Sequence, residues 1–231
     1  MAGHRSRHIM QDQEGLEQDM KIGILGSGLM GGKLGRNWAA CGHDVTFAYS
    51  RSTSKLERLA RDAGASYGSV AEAVDGADAL LLSVHWSRVD DVLEQATASL
   101  GGKLVLNCCV PLDEGNSNLV IGPNDSGAEE LARRRPDVRW VSCFNTIPSE
   151  AFAPVFARKG QTPAPQVFTY SDDDAAKEIA GGLIRDVGFE PLDTGGLRNG
   201  RYVEPFALAT VELAYMQPGG PALTYRFEKL R

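Results

Sequence analysis

The chain has 231 residues, of which 42% are hydrophobic and 23% are charged, and its formal net charge is −6. This acidic balance disfavours a nucleic-acid or anionic-membrane partner, and no apolar run approaches the roughly 18 residues that a membrane-spanning helix needs. The first twenty residues have no apolar core, so we expect no signal peptide. The length suits one large domain, or one and a half.

The four cysteines lack the spacing of a metal site. Cys41, Cys108, Cys109 and Cys143 form no C-x-x-C pair, and four are too few for a disulfide scaffold. We therefore expect a reduced, cytoplasmic protein without a metal site. The vicinal pair Cys108–Cys109 is either a redox pair or two small apolar residues at the end of a strand, and the second interpretation fits the composition better.

Residues 1–19 contain almost no apolar residues and show no periodicity. This pattern predicts a mobile N-terminal arm. His4 and His8 within it could suggest metal binding, but a disordered tail is the simpler interpretation.

A strand, a glycine turn and a helix follow the arm directly. Ile22 to Leu25 is predicted to be a buried strand. Leu34, Trp38 and Cys41 mark one face of a predicted helix. Between them stands a G-x-G-x-x-G motif, a pattern that in this context predicts dinucleotide binding. The free N–H groups of the helix would bind the pyrophosphate. The residues of the turn are Gly26, Ser27, Gly28, Leu29, Met30 and Gly31.

The residues that follow the second predicted strand, Asp44 to Ala48, predict which dinucleotide is bound. NAD-binding folds usually place an acidic residue about 20 residues after the glycines, to hold the ribose 2′-hydroxyl. This chain has no acid there and instead carries Ser50, Arg51 and Ser52, with Lys55 on the next helix. Hydroxyls and cations suit a 2′-phosphate, so we predict NADP(H) rather than NAD(H).

Strands and helices alternate through the rest of the chain, which predicts an α/β fold with a Rossmann-type doubly wound parallel sheet. Ligands in such sheets lie at the carboxyl ends of the strands. One predicted strand, Ala79 to Val84, is followed by His85. The next, Leu104 to Cys109, contains Asn107 near its end and is followed by Val110. We expect these residues near the cofactor, with His85 either a proton donor or, more simply, part of the cleft wall.

Three domain-level segments are predicted: the arm 1–19, an NADP-binding domain 20–147, and a smaller C-terminal α/β segment 148–231. A long loop over residues 112–127 precedes a helix that Ser126 and Glu129 open as a capping box. The next strand ends at Asn145, Thr146 and Ile147, again on the cofactor side. An apolar helix is predicted from Arg201 to Tyr215. Its apolar stripe is interpreted as core or as the seam of a homodimer and consists of Val203, Phe206, Ala207, Thr210, Val211 and Ala214.

These motifs together resemble the deazaflavin-dependent NADP reductase family, the NADPH:coenzyme F-420 (also written F420) oxidoreductases and their relatives. The resemblance extends from Met20 to the C-terminus. Its residues are GSGLMG, SRSTSK, SVHW, SGAEELARRRPDVRWVSCFNTIP and LDTGGLRNGRYVEPFALATVELAY. The last two stretches are the more specific ones, because generic Rossmann proteins lack them. The cytoplasmic ferric reductase domain of the STEAP membrane proteins is similar and has the same FNT turn.

The resemblance implies NADP(H) on the glycine turn and a small-molecule hydride acceptor stacked over the nicotinamide. It implies that the acceptor pocket is walled by Asn145, Thr146, Ile147 and Pro148, by the C-terminal segment, and by Val110–Pro111 opposite. In one respect the chain departs from the family, because some deazaflavin-using members carry a histidine where this chain has Asn145.

The residues show no Ser-His-Asp, Cys-His or paired-carboxylate constellation, so we assign no catalytic residue. This is compatible with hydride transfer, in which the cofactor carries the chemistry. Three hypotheses remain: an NADPH:deazaflavin oxidoreductase, an NADPH-dependent reductase of a flavin, ferric complex, carbonyl or imine, and a non-catalytic NADP-binding sensor. Arg198 and Arg201 are candidates for holding an acidic acceptor tail, or are ordinary surface cations.

The 2′-phosphate assignment gives a first testable prediction. Arg51→Glu should weaken NADPH binding by roughly ten- to several-hundredfold, since a charge-assisted hydrogen bond contributes about 1.5–3 kcal/mol, and should change NADH binding far less. Titration of both nucleotides against both proteins measures this. An equal loss for NADPH and NADH would contradict the assignment.

Overall fold

The computed structural model describes residues 19–96 and 99–230, so residues 1–18 of the predicted arm lie outside the described residues. Within these ranges eight strands form one sheet in the order β3-β2-β1-β4-β5-β6-β7-β8. The strands are β1 Lys21–Leu25, β2 Asp44–Ala48, β3 Ser66–Tyr67, β4 Ala79–Leu82, β5 Leu104–Asn107, β6 Arg139–Cys143, β7 Gln166–Tyr170 and β8 Glu190–Gly195. The α-helices are α1 Leu29–Ala40, α2 Thr53–Ala63, α3 Val70–Asp75, α4 Val89–Ala96, α5 Gly127–Arg134, α6 Phe152–Phe156, α7 Asp174–Asp186 and α8 Gly200–Val211.

The sheet confirms the predicted Rossmann-type α/β fold, with a reversal near one edge. Strands β1 to β6 are parallel to one another, whereas β7 is antiparallel to β6, and β8 is parallel to β7. The predicted division at residue 147 stays a prediction, and the C-terminal strands belong to the same sheet.

Two apolar cores cover the two faces of the sheet. One contains Leu34, Trp38 and Phe144 and lies under α1, α2, α6 and α7. The other contains Val92 and Leu131 and lies under α3, α4, α5 and α8. No helix in the described part of the chain combines the length and apolar composition needed to cross a membrane.

Glycines let α1 and α3 pack directly on the sheet. A Cβ at Gly35 would lie 2.4 Å from Cε1 of Phe47, and a Cβ at Gly23 would lie 2.4 Å from the carbonyl oxygen of Ala73. Trp38 then connects α1 to α7, because its buried Nε1 donates a hydrogen bond to the carbonyl oxygen of Leu183 at 2.9 Å. The helix that presents the glycine turn is therefore held on both sides.

The C-terminal helix and tail return to the sheet. α8 continues into a π-helical turn, Glu212–Met216, and most of its predicted apolar stripe, including Val203 and Ala207, is buried as core. β7 pairs with β6 only at its C-terminal end, and the tail takes up part of the remaining edge, with the N–H of Gln166 donating to the carbonyl oxygen of Tyr225. The rings of Phe168, Phe206, Tyr225 and Phe227 pack together there.

Packing of α1 on β2 can be tested by a pair of glycine substitutions. Gly35→Ala should lower the free energy of unfolding by about 1–3 kcal/mol, because the new methyl group overlaps Phe47. Urea unfolding followed by circular dichroism measures the change.

Gly32→Ala is the matched control, because the nearest heavy atom to its new methyl, Cδ2 of Leu59, lies 3.5 Å away. It should leave stability unchanged or raise it by up to about 1 kcal/mol, since Ala favours helix over Gly. The packing argument fails if both variants respond alike.

Candidate functional site

The glycine turn has the shape that a bound pyrophosphate requires. Gly26 has φ +117°, and a Cβ there would lie 2.4 Å from the carbonyl oxygen of Ser83. A Cβ at Gly31 would lie 2.1 Å from the carbonyl oxygen of Gly26, so α1 begins in direct contact with β1. Gly28 differs, because a Cβ there meets nothing within 4 Å. The space over Gly28 therefore remains open for a ligand to approach the backbone.

The N-terminus of α1 is prepared for an anion. Its N-cap residue, Gly28, has no side chain to accept from the first N–H groups, and the first turn contains no acidic residue. Those N–H groups have no acceptor within the helix and lie at the positive end of its dipole. The turn from Gly28 to Gly31 therefore fits the phosphates of a dinucleotide.

Ser27 stabilises the glycine turn through a hydrogen bond to the end of β2. Its side chain is buried, and its hydroxyl donates to the carbonyl oxygen of Ala48 at 3.0 Å. Ser83 contributes a second support that the sequence did not indicate, because its hydroxyl donates to the carbonyl oxygen of Gly26 at 2.7 Å. Residues from two neighbouring strand ends thus hold the turn in place.

The loop after β2 gathers the predicted 2′-phosphate residues at the start of α2. Ser52 is the N-cap of α2 and accepts from the N–H of Lys55 at 3.3 Å, while its own N–H donates to the hydroxyl of Ser50. Arg51 and Lys55 are exposed, and within the described part of the chain neither is in an ion pair. Both cations are therefore free to bind a phosphate.

A basic groove runs from the glycine turn between α1 and α2. It has a volume of about 180 Å³ and begins at Ser27, Gly28 and Leu29. Four cations define this basic groove: Lys33 and Arg36 from α1, and Lys55 and Arg58 from α2. Lys33 and Arg36 were not identified from the sequence, although their i, i+3 spacing places them on one side of α1.

Tyr49, the residue directly after β2, holds the end of this strand in place. It adopts a left-handed backbone conformation with φ +58°, and its hydroxyl donates to Oδ2 of Asp91 at 2.5 Å. Burial and the Asp91 carboxylate raise the pKa of Tyr49 to about 12, so the hydroxyl remains a donor at neutral pH. A left-handed tyrosine has no sequence signal, which explains why this contact was not predicted.

A second cavity, of about 270 Å³, lies at the carboxyl edge of the sheet, and we name it the acceptor cavity. Leu29 lines both this cavity and the basic groove, so the two meet at the glycine turn. The predicted site residues that line the acceptor cavity are Leu29, Met30, Val84, His85, Val110, Asn145, Thr146 and Ile147. α8 and its π-turn close it with Ala207, Leu208, Thr210, Val211 and Tyr215.

Asn145 presents an unsatisfied oxygen on this wall. The residue is only 8% exposed, its Nδ2 donates to the hydroxyl of Tyr170 at 2.6 Å, and its Oδ1 has no hydrogen-bond partner. Burial keeps the pKa of Tyr170 well above its ordinary value. A buried acceptor atom without a partner costs about 1–3 kcal/mol, so a hydrogen bond donated to Oδ1 would stabilise this wall.

The turn that places Asn145 depends on aromatic packing. Phe144 has φ +61° and packs edge-on against Trp38, Phe152 and Phe189. Such a conformation persists only when its surroundings over-determine it. The aromatic cluster therefore holds the strained residue that directs the chain from β6 into the cavity wall.

Thr146 is held by the distant C-terminal tail. Its hydroxyl lies 2.7 Å from that of Tyr225, which also accepts from the N–H of Phe168 at 3.1 Å. Because this contact links positions 79 residues apart, sequence pattern alone could not have indicated it.

His85 lines the acceptor cavity, but both of its ring nitrogens have partners. Nδ1 accepts from the N–H of Ser87 at 3.2 Å, and Nε2 lies 3.1 Å from the carbonyl oxygen of Asp113. Since a carbonyl oxygen can only accept, this arrangement assigns the proton to Nε2. His85 therefore lies in the cavity wall with neither ring nitrogen free of a protein partner.

Asn107 lies outside the cavity lining. Its side chain is fully buried, donates to the hydroxyl of Ser142 at 3.2 Å and accepts from the N–H of Cys109 at 3.0 Å. It therefore shapes the turn that carries Val110, and its side chain does not face the acceptor cavity.

Cys108 and Cys109 behave as small apolar residues. Both are buried at the end of β5, with their thiols directed at the carbonyl oxygen of Leu82. Burial raises the pKa of Cys109 to about 12 and that of Cys108 well above its ordinary value. Among the described residues there is no group of three or more His, Cys, Asp or Glu that could hold a metal ion.

Arg201, one of the two candidates for holding an acidic acceptor tail, is paired with a carboxylate of the protein itself. Its guanidinium makes two hydrogen bonds, of 2.8 and 2.7 Å, to the carboxylate of Glu129. The predicted capping box is correspondingly half formed. The hydroxyl of Ser126 accepts from the N–H of Glu129 at 3.2 Å, whereas the N–H of Ser126 donates to Asp125 instead. Arg198 lies over the ring of Tyr202 at 5.9 Å.

Glu204, which the sequence did not single out, attaches α8 to the N-terminus of α5. Its buried carboxylate accepts from the N–H of Gly127 at 2.8 Å and of Ala128 at 3.0 Å. Gly200 allows this close approach, because a Cβ there would lie 2.8 Å from Cβ of Ser126. Burial raises the pKa of Glu204 to about 7, although the two N–H groups act to lower it.

The family comparison matches the part of the chain that carries the glycine turn. Residues 21–111 match the model of a family described as NADP oxidoreductase, coenzyme F420-dependent. An F420-dependent NADP reductase from Methanothermobacter marburgensis is 28% identical over 210 residues, which cover 84% of this chain and 92% of that protein. The resemblance predicted from the sequence is thus confirmed, and the family and the relative that this chain resembles are NADP-dependent oxidoreductases.

Two further proteins are similar to this chain, one over part of its own length and the other in its fold. The metalloreductase STEAP3 from Rattus norvegicus is 29% identical over 191 residues, which cover 81% of this chain but only 36% of that protein. A solved structure from Arthrobacter sp. FB24, proposed to be an F420-dependent NADP reductase, superposes with a TM-score of 0.75 at 22% identity, covering 84% of this chain and 93% of that one. At this identity the structural match supports the fold alone.

The environment of Glu204 gives a pH-dependent prediction. Its pKa in the folded protein is about 7, above the ordinary value of 4.5, so the fold favours the protonated form. The resulting stabilisation is fully present below pH 4.5 and is lost as the pH rises through 7, by about 3 kcal/mol in total.

Glu204→Gln is the matched variant, because its side chain has the same shape and never ionises. The free energy of unfolding of the native protein should fall relative to that of Glu204→Gln between pH 5 and 8, as urea titrations at each pH would measure. A difference that stays constant across this range would contradict the burial argument.

Proposed function

We propose that this protein is an NADP-dependent oxidoreductase that transfers hydride between NADP(H), bound on the glycine turn, and a small-molecule acceptor in the adjoining cavity. We further propose that the acceptor is a deazaflavin of the coenzyme F420 type. The proposal rests chiefly on one observation: the basic groove and the apolar acceptor cavity meet at the glycine turn, with Leu29 lining both. A dinucleotide has this same division between an anionic half and a largely uncharged ring.

The residues of the groove and turn would bind and orient the cofactor. The N–H groups at the start of α1 would hold the pyrophosphate, and Arg51, Lys55 and the hydroxyls of Ser50 and Ser52 would hold the 2′-phosphate. When bound, NADPH supplies the hydride. This fit is supported by the open space over Gly28 and by the absence of an acid in the first turn of α1.

The residues of the acceptor cavity would exclude water and fix the reacting ring. Val84, Ile147, Ala207 and Leu208 supply apolar wall, and Oδ1 of Asn145 would accept a hydrogen bond from an N–H of the bound ring. A flavin-like ring carries such an N–H group. Since His85 is bonded at both nitrogens, this wall offers orientation and no dedicated acid, as hydride transfer between two carbon atoms allows.

A different acceptor is the alternative function, and the relatives are the reason to keep it. One of them is a metalloreductase, and Asn145 stands where some deazaflavin-using members have histidine. A non-catalytic NADP sensor is less well supported, because it would not need the cavity that α8 encloses. A homodimer and a cytoplasmic location remain predictions from the sequence.

An absorbance assay tests the proposal directly. NADPH mixed with oxidised coenzyme F420 and the protein should bleach the deazaflavin, whereas NADH, or FMN in place of the deazaflavin, should react far more slowly. Reduction of FMN or a ferric chelate without reduction of coenzyme F420 would favour the alternative acceptor. NADPH binding without oxidation by any of these acceptors would favour the sensor.

A variant pair links the activity to the cavity. Asn145→Leu should lower kcat/KM for the acceptor by roughly ten- to a hundredfold, from the loss of a buried hydrogen bond of about 1–3 kcal/mol, while leaving the Kd of NADPH within about threefold. Asn124→Leu, in an exposed residue outside both cavities, should leave both quantities unchanged. Equal effects of the two substitutions would contradict the role of Asn145.

A further inference from the structure

A third cavity lies between the long loop and the first half of α8. It has a volume of about 360 Å³, and we name it the loop cavity. Its walls are mainly apolar. They consist of Leu119, Val120, Ile121, Gly122 and Pro123 from the loop, and Gly200 and Pro205 from α8, with Asp125, Arg201 and Glu204 as the charged members.

The loop cavity continues the acceptor cavity along the same helix face. Glu204 lines the former and Leu208 the latter, and residues four apart lie one above the other on a helix, about 6 Å apart along its axis. The loop repeats this order, with Leu112 and Asn116 over the acceptor cavity and Leu119 onward over the loop cavity. The two cavities therefore lie in succession under one loop.

The charged groups of the loop cavity are already paired. Arg201 makes a two-point contact with Glu129, and Asp125 a two-point contact with Arg133 at 3.0 and 2.6 Å. The carboxyl group of Glu204 accepts two backbone hydrogen bonds. Arg201 is the only cation among the residues that line this cavity, so an incoming anion would meet no unpaired positive charge.

The loop cavity and the basic groove differ in the charge of the residues that line them. In the basic groove, four cations surround about 180 Å³, a composition that suits phosphates. In the loop cavity a desolvated anion would cost several kcal/mol without compensation, whereas apolar atoms gain about 25 cal/mol for each Å² removed from water.

We propose that the loop cavity is a second subsite for the acceptor and binds an uncharged, apolar part of it. This inference rests on the proposed function, because it takes the reacting ring to occupy the neighbouring cavity. A cavity of about 150 Å³ accommodates benzene, so 360 Å³ has room for a group of about two rings. An anionic tail on the acceptor would instead extend into solvent.

A matched pair of fluorescent probes tests the subsite without requiring turnover. N-phenyl-1-naphthylamine is neutral, and 8-anilino-1-naphthalenesulfonate has the same rings with a sulfonate. In the presence of saturating NADPH, the native protein should bind the neutral probe at least tenfold more tightly than the sulfonate. Equal or tighter binding of the sulfonate would overturn the proposal.

Two variants assign the probe to this cavity. Val120→Asp adds a charge to an exposed wall residue and should weaken binding of the neutral probe at least tenfold, whereas Ile179→Asp, at a partly exposed position on α7, should not. Glu129→Gln releases Arg201 from its ion pair and should strengthen binding of the sulfonate several-fold without affecting the neutral probe. Unchanged binding in both Val120→Asp and Glu129→Gln would overturn the proposal.

Failure of the subsite proposal can be distinguished from failure of the proposed function, because probe binding and acceptor reduction are measured separately. Probe binding that responds to Val120 while coenzyme F420 is not reduced would refute the deazaflavin and leave the apolar subsite standing. Reduction of coenzyme F420 without specific probe binding would refute the subsite and leave the function standing.

Discussion

Direct contact between α1 and the end of β1 is the constraint on which the site depends. At Gly31 even a methyl group would lie 2.1 Å from a backbone oxygen, so the start of α1 sits against the strand end. Trp38 anchors the far end of the same helix through a buried hydrogen bond to α7. The N-terminus of α1 is thereby aimed along the carboxyl edge of the sheet, where ligands bind in this class of fold.

From that edge the protein separates two chemical environments. On one side of Leu29 lie cations and free backbone donors, and on the other lies an apolar wall with one unsatisfied oxygen, that of Asn145. Such a division would orient a molecule with a charged half and an uncharged ring in only one way. The cations also differ in their pairing, since Arg51 and Lys55 are in no ion pair among the described residues whereas Arg201 is paired with Glu129.

The C-terminal third of the chain completes the acceptor side through long-range contacts. Glu204 attaches α8 to α5, and Tyr225 supports Thr146 from the tail. Tyr170 supports Asn145 from β7, the strand that reverses direction. Through these contacts the segment after β6 forms and supports part of the cavity wall.

The sequence by itself determined the nucleotide half of this protein. Glycine spacing, the apolar strand before it and the absence of an acid after β2 are local features, because each reflects a backbone or charge requirement within a few residues. The predicted glycine turn and doubly wound sheet follow from such patterns, and so does the position of Val84 and Ile147 at strand ends. Element ends were less well predicted, with β4 stopping at Leu82 and β5 at Asn107.

Only the tertiary structure decided the pairing of the polar groups. That Asn107 turns inward, that His85 is bonded at both nitrogens, and that Arg201 is neutralised by Glu129 all depend on partners distant in the chain. The reversal of β7 and the left-handed Phe144 have the same origin, because each is imposed by packing against several elements at once. Local pattern specifies which residues reach the carboxyl edge of the sheet, and three-dimensional packing specifies which of their atoms remain free to bind.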